Sequence, residues 1–215
     1  LTAYLDKVRA AVKQPVSTAE PWHVWLRHPE LAEHVDYLAV HMLPYWEGIP
    51  ADASIGYIDS KVAELEQAFP GKKIVLAEVG WPSNGRTREA AVASESNEAM
   101  FLRRFLARAR EQGYVYYLME AFDQPWKAQS EGSVGAYWGV WNVDREAKFP
   151  FKAPIVRIPE WRTLAAIAVA LALLLFTVFS LDGRRLATSG RSFLAVVAYA
   201  TTTTVVWVLY EYSQQ

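Results

Sequence analysis

One carboxylate stands at the end of the most strand-like stretch of this chain. Residues 73–79 read KIVLAEV, an apolar run of the kind that a buried parallel strand shows, and Glu78 lies near its end. Turn-forming residues follow over 80–85 (GWPSNG). A carboxylate at the C-terminal lip of a strand is where a (β/α) barrel keeps its catalytic groups, so Glu78 is a candidate for acid–base or nucleophilic chemistry. The alternative is a strand-end glutamate that only faces solvent.

Three further predicted strand ends carry related side chains. If the strands are parallel, their ends meet on one rim, which would present Thr18, Glu20, Trp22, His41, Tyr45, Trp46, Glu78, Trp81, Phe122, Asp123, Gln124, Trp126 and Lys127. Carboxylates, amides and aromatic rings together are typical of a sugar-binding cleft. Cleavage of a glycosidic bond uses two carboxyl groups, one as general acid and one as nucleophile or base.

Other chemistries lack the residues they need. The four histidines include three in one predicted helix, no His-Glu-x-x-His pattern occurs, and cysteine is absent, so no metal site is predicted. A Gly-x-Ser-x-Gly elbow for a serine nucleophile is also missing. The formal net charge of -1 gives no footprint for nucleic acid. No cofactor is expected.

The elements that would position the rim alternate along residues 1–155. The apolar spacing predicts an opening helix through Leu1, Leu5, Val8 and Val12. Strands are predicted over 15–20, 35–43, the run ending at Glu78, and 114–122, with helices over 23–34, 52–69 and 88–112. This α/β pattern predicts the C-terminal half of a (β/α)8 TIM barrel. An open doubly wound sheet is the alternative, although no Gly-rich phosphate loop follows any strand.

Residues 156–215 are much more apolar than the rest of the chain and are predicted to be a membrane region. Uncharged apolar runs cover about 164–181 and 193–210, the length that spans a lipid bilayer. Buried helices of a soluble domain are the alternative. Arg184, Arg185 and Arg191 lie between the runs and favour a cytoplasmic loop with the barrel outside, although basic residues also flank the first run. The chain begins with Leu rather than Met, so we expect an internal fragment of a longer membrane protein.

Several motifs also resemble one enzyme family. AEVGWPSNG around Glu78 is similar to the nucleophile motif of glycoside hydrolase family 17, the β-1,3-glucanases. HMLPYWEG (41–48), PVSTAEPW (15–22) and EAFDQPWK (120–127), followed by YWGVWNVDREAKF (137–149), are similar to other strand ends of that family. The agreement runs in order over about residues 1–150.

The resemblance implies roles for particular residues. Glu78 would be the nucleophile of a retaining mechanism, and Tyr45 would hydrogen-bond the nucleophile or the sugar ring. Gln124 stands where plant members usually have Glu, and His41 where they have Asn. The implied substrate-binding residues are Glu20, His41, Tyr45, Trp46, Trp81, Asp123, Trp126 and Lys127.

The family's general acid has no counterpart in this chain. It is a Glu preceded by Asn, at the end of the strand before the opening helix. The Asn97-Glu98 pair falls within a predicted surface helix and is rejected, and Glu20 lies one strand too late. We therefore expect this chain alone to have no hydrolase activity.

The resulting expectation is a β-1,3-glucan hydrolase or transglycosylase that acts outside the cytoplasmic membrane. Attachment to membrane spans resembles the bacterial members joined to a glucan synthase, which implies a bacterial inner membrane and a fused synthase domain. A non-catalytic glucan-binding module attached to such a synthase is the main alternative. A transporter fragment is a third, weakened by the absence of a charge inside either span.

Overall fold

A computed structural model describes residues 1–156, 158, 160–181 and 187–213, which divide into the units Leu1–Ile155 and Val156–Gln215. The elements of the first unit are α1 (Thr2–Ala11), β1 (Ala19–Pro21), α2 (Trp22–Arg27), β2 (Leu38–Met42), α3 (Ser54–Ala68), β3 (Ile74–Val79), α4 (Glu95–Gln112), β4 (Val115–Leu118) and α5 (Ala128–Glu131). Short 3-10 turns cover Pro29–His34, Pro125–Lys127 and Ser133–Ala136.

The four strands form one parallel sheet in the order β1-β2-β3-β4. Strand order that follows chain order is what a barrel requires, whereas a doubly wound sheet reverses at a switch point. The register pairs Pro21 with His41 and His41 with Glu78, so three predicted strand ends lie side by side. The predicted α/β fold with barrel-type winding is confirmed.

The core lies between the sheet and the apolar faces of α3 and α4. The predicted stripe of α3 is buried throughout, at Ile58, Val62, Leu65 and Phe69. In α4 the buried residues include Leu102, Phe105 and Ala109, again as the helical spacing predicts. Gly113 ends α4 in a left-handed conformation with φ 71°, which glycine adopts without a steric penalty.

Three predicted helices differ from the structure. The helix predicted over 23–34 ends at Arg27, because Pro29 has no N–H to continue it and starts a 3-10 turn. The helix predicted from residue 88 begins at Glu95, since the Ser94 hydroxyl caps it by accepting from the Asn97 N–H. In α1 only Leu5 of the predicted stripe is buried, while Leu1, Val8 and Val12 are exposed.

The second unit contains α6 (Trp161–Leu181) and α7 (Thr188–Ser213), which pack on each other. Segments Trp161–Phe179 and Thr188–Tyr210 are long and apolar enough to cross a membrane, judged by length and composition alone. They overlap the predicted spans. Arg184 and Arg185, on which the predicted orientation partly depends, lie outside the described residues.

Candidate active site

Glu78 lies at the C-terminal end of β3 with 38% of its side chain exposed. Its neighbour in the sheet is His41 of β2, whose Nδ1 is 3.6 Å from Glu78 Oε2. That separation is longer than a hydrogen bond, and the contact is an ion pair only when the His41 ring is protonated. Glu78 therefore presents an open carboxylate at the rim, with one basic side chain beside it.

The turn after Glu78 is anchored to the end of β4. A Cβ atom on Gly80 would stand 2.0 Å from the Met119 carbonyl oxygen, so only glycine lets the two strand ends approach this closely. The Met119 N–H donates to the Val79 carbonyl over 2.9 Å, and the Ser83 N–H donates to the Tyr137 carbonyl over 2.8 Å. Gly80 therefore allows the turn after Glu78 to pack against the end of β4, and this packing constrains the backbone position of Glu78.

Tyr45 and Trp81, both expected to contact substrate, lie in the core with no exposed surface. The Tyr45 hydroxyl donates to the Arg86 carbonyl, and Trp81 Nε1 donates to the Val92 carbonyl over 3.1 Å. Burial raises the pKa of the Tyr45 phenol. The expected hydrogen bond from Tyr45 to the nucleophile and the expected contact of Trp81 with substrate are therefore corrected, because both side chains are buried and bonded to backbone carbonyls.

Trp46, which follows β2, and Glu20 of β1 are both half-buried but have different neighbours. The Trp46 ring is half-buried between Trp138, at 5.9 Å, and the guanidinium of Arg88, at 5.7 Å. Glu20 is half-buried in β1, where its Oε1 accepts from the Thr18 hydroxyl over 3.2 Å. Because β2 stands between β1 and β3, the backbone of Glu20 is two strand spacings, about 10 Å, from that of Glu78.

A second polar cluster lies just beyond β4. Glu120 Oε2 accepts from Lys127 Nζ over 2.7 Å and from the Gln124 amide nitrogen. The Gln124 amide oxygen in turn accepts from Trp126 Nε1 over 2.9 Å. The sequence does not indicate Glu120, because residues 119–124 form no helix in which spacings of four and seven would bring side chains together.

Asp123, expected on the rim, belongs instead to a buried ion-pair cluster. Lys148 Nζ is 2.8 Å from Asp123 Oδ1, 3.4 Å from Glu98 Oε2 and 2.7 Å from Ser83 Oγ. The side chains of Lys148, Asp123 and Glu98 are 5%, 6% and 1% exposed. The backbone N–H of Gly139 also donates to Asp123 Oδ1, over 2.9 Å. The expectation that Asp123 binds substrate is therefore corrected.

Glu98 is likewise not the surface residue that the sequence predicted. It lies in the first turn of α4, and burial raises the pKa of its carboxyl well above the usual range while Lys148 opposes that shift. Asp123 holds the nearer position on Lys148, which leaves Glu98 with the weaker contact. A carboxyl group this buried cannot reach a sugar.

The residues around the end of β3 suit nucleophilic chemistry by a single carboxylate, that of Glu78. Among the described residues, no group of three or more His, Cys, Asp or Glu side chains is placed to hold a metal ion. Of the carboxylates discussed above, Glu78 is the one left both open and without a short hydrogen bond, since Glu120 is taken by Lys127 and Gln124.

Comparison with known proteins places this geometry in context. Residues 1–139 match the family described as the BtgE/BtgC glycoside hydrolase domain. The glucan 1,3-beta-glucosidase of Schizosaccharomyces pombe is 30% identical over 156 residues, which are 66% of this chain and 48% of that protein. The probable family 17 glucosidase SCW4 of Saccharomyces cerevisiae is 31% identical over 144 residues, 64% of this chain and 36% of the relative. The chain thus spans half or less of the length of these relatives.

Solved structures agree with this assignment. The family 17 β-1,3-glucanosyltransferase of Rhizomucor miehei is 29% identical with a TM-score of 0.64, over 71% of this chain and 57% of that one. An active-site mutant of the same enzyme, in complex with laminaritriose, aligns with a TM-score of 0.63. The two curated relatives come from fungi, so the expected bacterial inner membrane gains no support from them.

Proposed function

The chain belongs to glycoside hydrolase family 17, and on that basis we propose that it supplies the nucleophile side of a β-1,3-glucan hydrolase or glucosyltransferase site. The substrate class follows from the relatives, a glucan 1,3-beta-glucosidase and a β-1,3-glucanosyltransferase solved with laminaritriose.

Glu78 is the proposed nucleophile of a retaining mechanism. The observation that carries this role is the exposed position of its carboxylate at the C-terminal end of β3, next to His41. The close packing of Gly80 on Met119 constrains the backbone there. One Glu78 oxygen bonds to the anomeric carbon while the bond to the leaving oxygen breaks. Water or a sugar hydroxyl then attacks the same carbon, loses its proton and frees the Glu78 carboxylate. Water gives hydrolysis, and a sugar gives transfer.

The general acid that protonates the leaving oxygen is not among the carboxyl groups discussed above. Glu20 lies one strand too late in the chain to be the family's acid, and its Oε1 accepts from the Thr18 hydroxyl. Glu98 has the raised pKa of an acid but is buried, and Glu120 is held by Lys127 and Gln124. We therefore expect the chain alone to leave laminarin intact, and reducing sugar released from laminarin would contradict this.

A substrate with a good leaving group tests the nucleophile without the missing general acid. An aryl β-laminaribioside with a nitrophenolate leaving group needs no protonation, so the chain should release the phenolate from it. Glu78→Ala should lower that rate by about 10³-fold or more, and azide should restore it by forming the α-glycosyl azide. Glu111→Ala, an exposed carboxylate of α4 that pairs with Arg108, is the control and should keep most of the rate. Equal rates for wild type and Glu78→Ala would refute the assignment.

A non-catalytic glucan-binding module remains the second candidate, favoured by the single open carboxylate of the β3 lip. The two candidates differ in one outcome. If wild type binds laminari-oligosaccharides but neither wild type nor Glu78→Ala releases phenolate, binding without catalysis replaces the enzyme proposal. If acceptor oligosaccharides lengthen the products, transfer is established.

The proposed setting is a lipid bilayer with the α/β unit outside the cytoplasm. In the second unit the helices bury small side chains such as Ala168, Ala198 and Thr202 against each other, as membrane helices do. Leu173, Leu174 and many other large apolar side chains stay exposed, which water would penalise and lipid would not. The fused glucan synthase expected from the resemblance stays a prediction. Partition of the chain into the membrane fraction, resistant to carbonate washing, tests the setting.

A further inference from the structure

Trp126 is an exposed tryptophan whose position is nevertheless fixed. Trp126 is 65% exposed and lies eight residues after the end of β4. Exposed indoles usually have freedom to rotate, yet the Trp126 N–H is held at 2.9 Å by the Gln124 amide oxygen. An open aromatic face with its polar edge already satisfied is suited to bind a flat, partly apolar ligand.

The hydrogen bonds run from Trp126 back to a carboxylate. An indole N–H can only donate and an ionised carboxylate can only accept. A single group that links the two must therefore accept from the indole and donate to the carboxylate. Gln124 joins them because its amide carries both functions: its NH2 donates to Glu120 Oε2 and its oxygen accepts from Trp126 Nε1. The charge of Glu120 thereby decides which way the Gln124 amide faces.

The backbone under these side chains is also constrained. Gln124 N–H donates to the Ala136 carbonyl over 3.1 Å, and Glu120 N–H donates to the Trp138 carbonyl over 2.9 Å. Pro125 restricts the backbone at the start of the 3-10 turn Pro125–Lys127. The backbones of Glu120 and Gln124 are therefore both bonded to residues 136–138, which lowers the ordering entropy that they lose on binding.

We propose that Glu120 and Gln124 are positioning residues that hold Trp126 as a stacking platform for a glucosyl ring of a β-1,3-glucan chain. The ligand class rests on the proposed function. The axial C–H face of a glucosyl ring is apolar and its hydroxyls are equatorial, which matches an exposed indole beside a charged donor. Lys127, whose Nζ is 2.7 Å from Glu120 Oε2 and 5.9 Å from the Trp126 ring, supplies that donor.

Calorimetric titration of the whole chain, in detergent micelles, with laminaripentaose tests the platform. Trp126→Ala should raise the Kd by about tenfold or more, and Gln124→Met by about threefold. In a Trp126→Phe background, Gln124→Met should have no further effect, because the N–H that Gln124 holds is gone. Trp141→Ala, at an exposed tryptophan outside the hydrogen-bond chain, is the control and should bind as wild type does.

Gln124→Glu gives a readout that a purely structural role would not move. A protonated Glu at 124 donates to Glu120 and accepts from Trp126 as the amide does, whereas an ionised one repels Glu120. The Kd of this variant should rise between about pH 5 and pH 7 while that of wild type does not.

Two results would overturn the inference alone: laminaripentaose binding unchanged in Trp126→Ala, or Gln124→Met effects that persist in the Trp126→Phe background. A Gln124→Glu variant with the pH dependence of wild type would also contradict it. A wild-type chain that binds no laminari-oligosaccharide would overturn the proposed function together with the platform.

Discussion

Removing the ammonium of Lys148 should destabilise the α/β unit strongly. Lys148 Nζ stands 2.8 Å from Asp123 Oδ1 and 3.4 Å from Glu98 Oε2, and all three side chains are at most 6% exposed. Methionine has a similar length but no charge. Lys148→Met would therefore leave two buried carboxyl groups without their cation, a change that costs about 3–5 kcal/mol in buried pairs.

The assay is urea unfolding of the whole chain in detergent micelles, followed by near-ultraviolet circular dichroism of the buried tryptophans. The double variant Asp123→Asn with Lys148→Met should recover part of the loss, because Asp123 is the carboxylate nearest to Lys148 and its charge is then removed. Arg9→Met is the control, since Arg9 forms a 2.8 Å surface pair with Asp36 and the change should cost about 1 kcal/mol or less.

A loss below about 1 kcal/mol for Lys148→Met would refute the reasoning, because it would mean that the cluster is solvated or that its carboxyl groups need no cation. A double variant less stable than Lys148→Met would show that Asp123 does not carry uncompensated charge in the single variant.

Two further predictions concern the same region. The raised pKa of Glu98 means that folding retains a proton, so its stabilising contribution is present below the unfolded pKa of 4.5 and is lost as pH rises through the folded pKa. Glu98→Gln should therefore gain stability relative to wild type from pH 4 to pH 8 in urea unfolding, and a flat difference would contradict the shift. Gly80→Ala would place a Cβ 2.0 Å from the Met119 carbonyl oxygen and should cost about 3 kcal/mol or more. Gly56→Ala in α3 has open space and should gain about 0.5 kcal/mol, so equal effects at the two glycines would refute the packing argument.

The elements that carry Glu78 could be predicted because their signals are local. The apolar run ending at residue 79 and the turn residues after it predict a buried strand, and the stripe from Ile58 to Phe69 predicts the buried face of α3. The start of α4 was misplaced because an apolar pattern does not separate a loop from a first helical turn. The Ser94 cap decides that boundary, and it moves Glu98 from the middle of a surface helix to a buried first turn.

The depth of each rim residue could not be predicted. Position at a strand end places Tyr45 and Trp81 near the site, but whether a ring faces the ligand or the core depends on neighbours distant in the chain. The partners of Lys148 are 65 residues away at Ser83 and 25 at Asp123, contacts that no spacing rule encodes. The Glu120 contacts are close in the chain, but they form in irregular backbone after β4, where no periodicity predicts them.

The most direct test of the central claim is to trap the nucleophile. A dinitrophenyl 2-deoxy-2-fluoro-β-laminaribioside needs no general acid to react, and its fluorine slows release of the glycosyl-enzyme. Peptide mass spectrometry of the labelled chain should find the sugar on the peptide that contains Glu78, with loss of the label in Glu78→Gln and retention in Glu111→Gln. A folded chain that takes no label, or takes it on another carboxylate, would contradict the account.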